Sequence, residues 1–343
     1  MKKIFVILQL FTISYFVSCA KIQEKKNLKS QKSDFVIAFG SCNKQSKTNV
    51  LWQEIAKNKP NLWIWGGDNI YADTEDMEKM KRNYEELRNQ NGYIQTTKNI
   101  PVMATWDDHD YGFNDAGNEY LMKKESQKLF LDFFEAPKND PRRNREGIYH
   151  SQTFSTKKGS IKVIVLDTRY FRTSLTKTKN KRFQPNTFGE GTILGEKQWN
   201  WLEDELKKSN TDFTIIVSSI QFLSSEHGFE TWGNFPHEVE KMKNLIEKSS
   251  ATTVLFLSGD RHISEFSSTT FNGLKYPIID FTSSGLTHSY SSYSSEPNKY
   301  RVKNVVNEIS FGLLHFDFKN KSVKMQMRGK QNTLQQELIQ VYQ

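Results

Sequence analysis

The string WIWGGDNIYAD, residues 63–73, constrains this chain more than any other. An apolar run from Leu62 to Trp65 stops at Gly66-Gly67, and Asp68, Asn69 and Tyr71 follow at once. An apolar strand, a glycine turn and a polar cluster, in that order, describe a buried strand delivering a carboxylate to the edge of a sheet. Three more segments repeat the pattern: AFGSCN at 38–43, VMATWDDHDYGFND at 102–115 and LFLSGDRHIS at 255–264. Four strand ends rich in Asp, His, Cys and Tyr point to one metal site assembled from distant parts of the sequence.

Of the 343 residues, 36% are hydrophobic and 13% aromatic, which speaks for a large packed core and against disorder. The formal net charge of +9 favours anionic surroundings or substrates through long-range attraction, and solubility alone accounts for it equally well. The basic residues are scattered and no recognised nucleic-acid-binding motif occurs, so no specific nucleic-acid partner is expected. The chain is expected to act as a monomer.

The first residues, MKKIFVILQLFTISYFVSC, read as a secretion signal over 1–18. Lys2 and Lys3 form its basic start, Ile4 to Phe16 its apolar stretch, and the small Ser18 precedes Cys19. The ending Phe16-Val17-Ser18-Cys19 resembles a loose lipobox of bacterial lipoproteins. Cleavage before Cys19 would place diacylglycerol on its thiol and tether the protein to the cell envelope, on the outer-membrane or periplasmic side; a plain cleaved signal is the alternative. Residues 19–33 read as a polar, lysine-rich tether, and 34–343 as one domain. With Cys19 lipidated, Cys42 has no partner, and a lone thiol outside the cytoplasm calls for burial or ligation.

DFVIAFGS, NLWIW and IPVMATW read as the first three core strands, with a short helix over Asn49–Lys57. Residues 75–90 are predicted helical, with Met77, Met80, Tyr84 and Leu87 on one stripe. A second helix over 119–135 is expected to bury Leu121, Leu129, Phe130, Phe133 and Phe134 and to end at Pro137. GIYHSQTF and SIKVIVLD form an expected antiparallel hairpin, 173–192 a long basic loop, and 195–208 a further helix. FTIIVSS, TTVLFLSGD, YPIIDFTSS and FGLLHFDF are further strands, and SVKMQMRG with ELIQVYQ a closing hairpin. Strands alternating with helices early and crowding later suggest an α/β sandwich with mixed sheets.

The chemistry-bearing residues lie at these strand ends. Asp68 can bridge two cations with its two oxygens. Tyr71, three residues on, offers a phenolate, which ferric iron generates more readily than magnesium or calcium; read alone, Tyr71 is better taken as an amphipathic rim residue. Cys42 is either a small buried hydrophobe or a thiolate on the same ion. In WDDHDYGFND, Asp107, Asp108, Asp110 and Asp115 cannot all face one another without cations. His109 within that string is placed to act as a general acid, and Asn114 offers a neutral oxygen suited to calcium. Asp260 and His262 share a strand mouth, with Arg261 between them as a phosphate-pairing candidate. Arg169 in LDTRYFR either binds phosphate or is buried as structural support with Asp167.

FGSCN, GGDNIYAD, TWDDHD, LDTRYFR and SGDRH, in that order, resemble the PhoD-like branch of the metallophosphoesterases over about residues 34–330. The resemblance implies a sandwich of two mixed β-sheets flanked by helices. It implies a metal set drawn from Cys42, Asp68, Tyr71, Asp108, Asn114, Asp260 and His262. The catalytic residues would then be His109, Arg261 and Arg169. The GD…Y spacing is similar to that of purple acid phosphatases, whose tyrosine binds ferric iron. Iron (Fe3+) with calcium (Ca2+) is therefore implied, and zinc or manganese stays open. VSSIQFLSS lacks the histidine of the superfamily's fourth motif, leaving Gln221 as a stand-in. The implied activity is hydrolysis of phosphate mono- or diesters by a hydroxide shared between ions, outside the cytoplasm. Hydrolysis of another oxyanion ester such as sulfate, or polyanion binding with structural metals, are the competing readings.

Overall fold

The computed structural model describes residues 33–342 apart from Lys181 and Thr252; the expected signal and nearly all of the tether lie outside the described residues. Two large sheets face each other. The first orders six strands as Leu334–Val341, Ser322–Arg328, Phe311–Asp317, Phe35–Gly40, Leu62–Gly66 and Val102–Thr105. The second orders seven as Arg301–Val306, Ser264–Thr269, Ile278–Ser283, Val254–Ser258, Phe213–Val217, Ser160–Val165 and His150–Ser155.

Each sheet has a parallel stretch and antiparallel margins. Phe35–Gly40, Leu62–Gly66 and Val102–Thr105 run parallel, as do Ile278–Ser283, Val254–Ser258, Phe213–Val217 and Ser160–Val165. Helices cover the outer faces, so these strands are buried on both sides and read as unbroken apolar runs. Side chains alternate between two environments. Ile37, Phe39, Ile64, Val163, Ile215 and Leu257 meet between the sheets. Ala38, Trp63 and Trp65 point outward onto the helical layer Met77–Arg88 and Lys123–Phe133, represented by Met80, Leu87 and Phe130. On the far side, Ile164, Ile216 and Phe256 pack under Gly195–Lys207 and Pro236–Lys248. The expected mixed-sheet α/β sandwich is the observed one.

Local differences have local causes. The predicted 119–135 helix begins only at Lys123, because Gly117 N donates to Glu119 Oε1 and Tyr120 folds inward to donate to Thr74 O. Leu121, expected to be buried, is 81% exposed on that turn. The 173–192 loop contains a small hairpin, Thr176–Lys177 with Phe183–Gln184. The helix Pro236–Lys248 was missing from the sequence reading, although Pro236 stands at its first turn and Met242 and Ile246 fall on one face.

Candidate metal centre

The ends of the parallel strands from both sheets open on one side of the sandwich, the position where parallel sheets place ligand sites. Getting side chains into that space requires the backbone to break sharply. Cys42, Asp68, Asp260 and His262 all have left-handed backbone, with φ of 59°, 52°, 67° and 54°. Gly67 makes one of these turns possible. Its φ is +99°, and a Cβ there would stand 2.7 Å from Asp107 Cβ and 3.0 Å from Ser219 Cβ.

Cys42 Sγ lies 3.3 Å from Asp68 Oδ2 and 3.0 Å from Ser284 Oγ. The Tyr71 hydroxyl donates to Asp68 Oδ2 at 3.1 Å and lies 3.0 Å from His262 Nε2. The other Asp68 oxygen, Oδ1, accepts from the His109 amide. Three sets of donor atoms therefore converge: Cys42 with Asp68 and His262, Asp68 with Asp108 and His109, and Asp107 with Asp108 and Asp260. Within each set the atoms lie within 4.8 Å of one another, and Asp68 and Asp108 link the sets into a continuous cage.

Such a cage is short of positive charge. Burial pushes the Cys42 thiol up to about 12, against the opposing bond from Ser284. Burial, with Cys42 and Asp108 nearby, drives Asp68 well above the usual carboxylate range, and burial with Asp107 does the same to Asp260. Burial also lifts Asp107 to about 7, although Arg169 pulls the other way. Asp108 is the exception: burial is outweighed by Arg169 and His109, and its carboxyl is held low. The Oδ2 atom of Asp107 is buried with no hydrogen-bond partner. A thiol, an imidazole, a phenol and several carboxylates, one with an orphaned oxygen, fit a cluster of cations in chemistry and in charge.

His109 sits at the rim. Its Nδ1 is 2.7 Å from Asp73 Oδ1, and its ring stacks on Tyr71 with centroids 4.2 Å apart. Burial disfavours its charge, but Asp68, Asp73 and Asp108 prevail and hold the imidazolium to about pH 10. Arg261 lines the same cavity of about 710 Å³, anchored to Glu296 at 2.8 Å. Asn114 is exposed at the cavity wall, where its amide donates to Asp115 at 2.7 Å.

Arg169 departs from the expected phosphate contact. Its side chain is sealed from solvent, with Nε 2.6 Å from Asp107 Oδ1 and Nη1 2.5 Å from Glu230 Oε2. Two carboxylates already occupy the guanidinium, so it supports the cage from behind. Gln221 is likewise not part of the cage, donating to Glu265 and Thr282. Its neighbour Ser219 instead donates to Asp107 Oδ1 at 2.7 Å.

The sequence reading missed four participants: Asp107 as a donor, Asp73 behind His109, Glu230 behind Arg169, and His288. The His288 ring meets His262 edge-on at 4.5 Å. Only Asp107 had a visible signal, its place in the dense acidic string.

A two-sheet sandwich with this cage at its strand mouths defines a protein of the metallophosphoesterase type. Within that class, the chain belongs to the PhoD-like phosphatase family, whose model matches residues 35–333. Alkaline phosphatase D of Bacillus subtilis (strain 168) is 23% identical over 274 residues, 66% of this chain and 46% of that protein. The chain thus matches about half the length of that curated relative. The solved structure of PhoD superposes with a TM-score of 0.72 at 17% identity, covering 89% of this chain and 69% of that one. A dimetal phosphatase from Danio rerio superposes at 0.52 with 13% identity, over 91% of this chain and 100% of that one. The anchor of the inner membrane complex of Plasmodium does so at 0.60 with 15% identity, over 91% and 90%. At these identities the structural likenesses establish the fold.

Proposed function

We propose that this chain hydrolyses phosphate esters, using cations held by Cys42, Asp68, Tyr71, Asp107, Asp108, Asp260 and His262. The observation that carries the reading is the linkage of three donor sets through Asp68 and Asp108, with His109 at their edge. Bound cations supply Lewis-acid activation of water and neutralise an approaching phosphate. The protein does the rest. Asp68 turns one oxygen toward Cys42 and Tyr71 and the other toward the His109 amide. Asp73 holds Nδ1 of His109, which leaves Nε2 to carry a proton to the departing alkoxide. Arg261, braced by Glu296, pairs with a phosphate oxygen.

Iron with calcium is the proposed metal content, because Tyr71 and Cys42 on one side suit a strongly Lewis-acidic ion and the carboxylates suit a hard one. Metal analysis with a visible spectrum and a panel of phosphate monoesters, diesters and aryl sulfates tests both parts. The expected protein contains iron, is coloured, shows a shifted visible absorption in Tyr71→Phe, and turns over phosphate esters. A colourless, iron-free, active protein would reject iron, and no turnover of any phosphate ester would reject hydrolysis.

Action outside the cytoplasm is proposed on residues 1–19 alone. Attachment is proposed through lipid at Cys19; among the described residues no helix is long and apolar enough to cross a membrane. Cys19→Ser should abolish labelled fatty-acid incorporation in cells; retained label would end that proposal.

A further inference from the structure

We propose that the cavity wall beside the cage holds a second, non-reacting phosphate of the substrate on Arg182, which is clamped across Phe229 from Arg261; this rests on the phosphoester reading above. The guanidinium carbon of Arg261 stands 3.9 Å from the centroid of Phe229, and that of Arg182 stands 4.0 Å from the same centroid. Two guanidiniums cannot share one ring face at that distance, so the phenyl ring separates them. Arg261 has Glu296 as its counter-ion, whereas an anion bound at Arg182 would relieve the remaining like-charge repulsion across the ring.

The arrangement is built rather than incidental. Phe183 N donates to Gly228 O at 2.8 Å, and Asn186 N to Asn234 O at 2.8 Å, tying the 173–192 loop to the segment that carries Phe229. Thr178 N donates to Arg182 O at 2.7 Å and closes the neck of the turn. Gly228 has a φ of +78°, and a Cβ there would press on the Arg182 stem at 3.3–3.5 Å. The stem therefore lies flat along a backbone that lacks a side chain.

The cavity carries both signs of charge: Lys177, Arg182 and Arg261 line it together with Asp68, Asp108, Asp115, Glu230 and Asp260. Arg261 is braced by Glu296. Neither Lys177 nor Arg182 forms an ion pair with a carboxylate among the described residues. A cavity of about 710 Å³ falls in the range that encloses a drug-sized ligand, well beyond one phosphate group at the cage. The clamp thus selects a substrate carrying a further phosphate, whether on a small bisphosphorylated molecule or along a phosphate-linked polymer.

The test uses the full metal-loaded chain and reads binding apart from turnover. Calorimetric dissociation constants for adenosine 3′,5′-bisphosphate against 5′-AMP, and for the dinucleotide pTpT against TpT, are measured in wild type, Arg182→Gln and Phe229→Leu. The expected wild type prefers the probe with the extra phosphate in at least one pair, and Arg182→Gln cuts that preference about tenfold. Phe229→Leu acts in the same direction by removing the platform. A preference in the first pair assigns the small-molecule source, and one in the second the polymer. No preference in either pair, or a preference equal in wild type and Arg182→Gln, overturns the clamp. A preference that stands while wild type turns over no ester leaves the clamp in place and defeats the hydrolysis reading alone.

Discussion

Nδ1 of His109 lies 2.7 Å from Oδ1 of Asp73, a pairing across 36 residues that ties the ring to the turn after the second strand. If His109 protonates the leaving oxygen, His109→Ala should slow alkyl phosphate esters by about 10²–10⁴-fold and nitrophenyl esters far less. Asp73→Asn should show the same ordering at about 10–100-fold. Equal losses on both ester types would remove the proton-donor role.

Asp68 joins two of the three donor sets, so Asp68→Ala should abolish turnover and lower the metal content of purified protein. Full activity in that variant would refute the shared-ligand assignment.

Stripping the metals with a chelator should change how stability depends on pH. Burial lifts Asp107 to about 7 and Asp110 to about 8, from 3.8 for an ordinary carboxyl. These groups keep their protons in the fold and release them on unfolding. The unfolded state therefore binds fewer protons, and stability falls as pH rises from 3.8 through about 8. The metal-loaded protein should lack most of this decline, as read by urea unfolding at pH 5, 7 and 8.5. An identical alkaline decline in loaded and stripped protein would argue against cations in the cage.

His150, in an edge strand of the second sheet, behaves oppositely. Burial first, then Arg142, depresses its imidazole from 6.5 to about 3. The unfolded chain takes the proton first, so this histidine costs stability progressively as pH falls from 6.5 toward 3. The unfolding free energy of His150→Gln relative to wild type should rise across that window. A constant difference would mean that His150 is not held neutral in the fold.

Arg169→Met should be a stability mutation. It strands the buried Asp107 carboxylate and leaves Glu230 with Arg172 alone, a loss of about 3–5 kcal/mol for breaking such a pair. Chemical denaturation measures it. A normally stable variant with a raised KM would instead restore the phosphate-binding role expected from sequence.

What was legible in the chain was local. Strands buried on both faces leave continuous apolar runs such as LWIW and VLFL, and the residues just past them must sit at the sheet edge. That reasoning groups Cys42, Asp68, Tyr71, Asp108, Asn114, Asp260 and His262; the donor sets unite five of them, the Tyr71 hydroxyl bonds Asp68, and Asn114 stays at the cavity wall bonded to Asp115. Partner choice was not legible, because it depends on packing between segments far apart in sequence. Nothing in LDTRYFR distinguishes an arginine aimed at substrate from one enclosed by Asp107 and Glu230; the difference lies in how Glu230 folds back from a loop 61 residues away. Likewise Asp107 and Asp108 are adjacent letters, and only the turn at Gly67 and the Ser219 contact decide that both enter the cage. Periodicity reports which face of an element is buried, whereas the charge environment of a site is set by which chain ends the sandwich brings together.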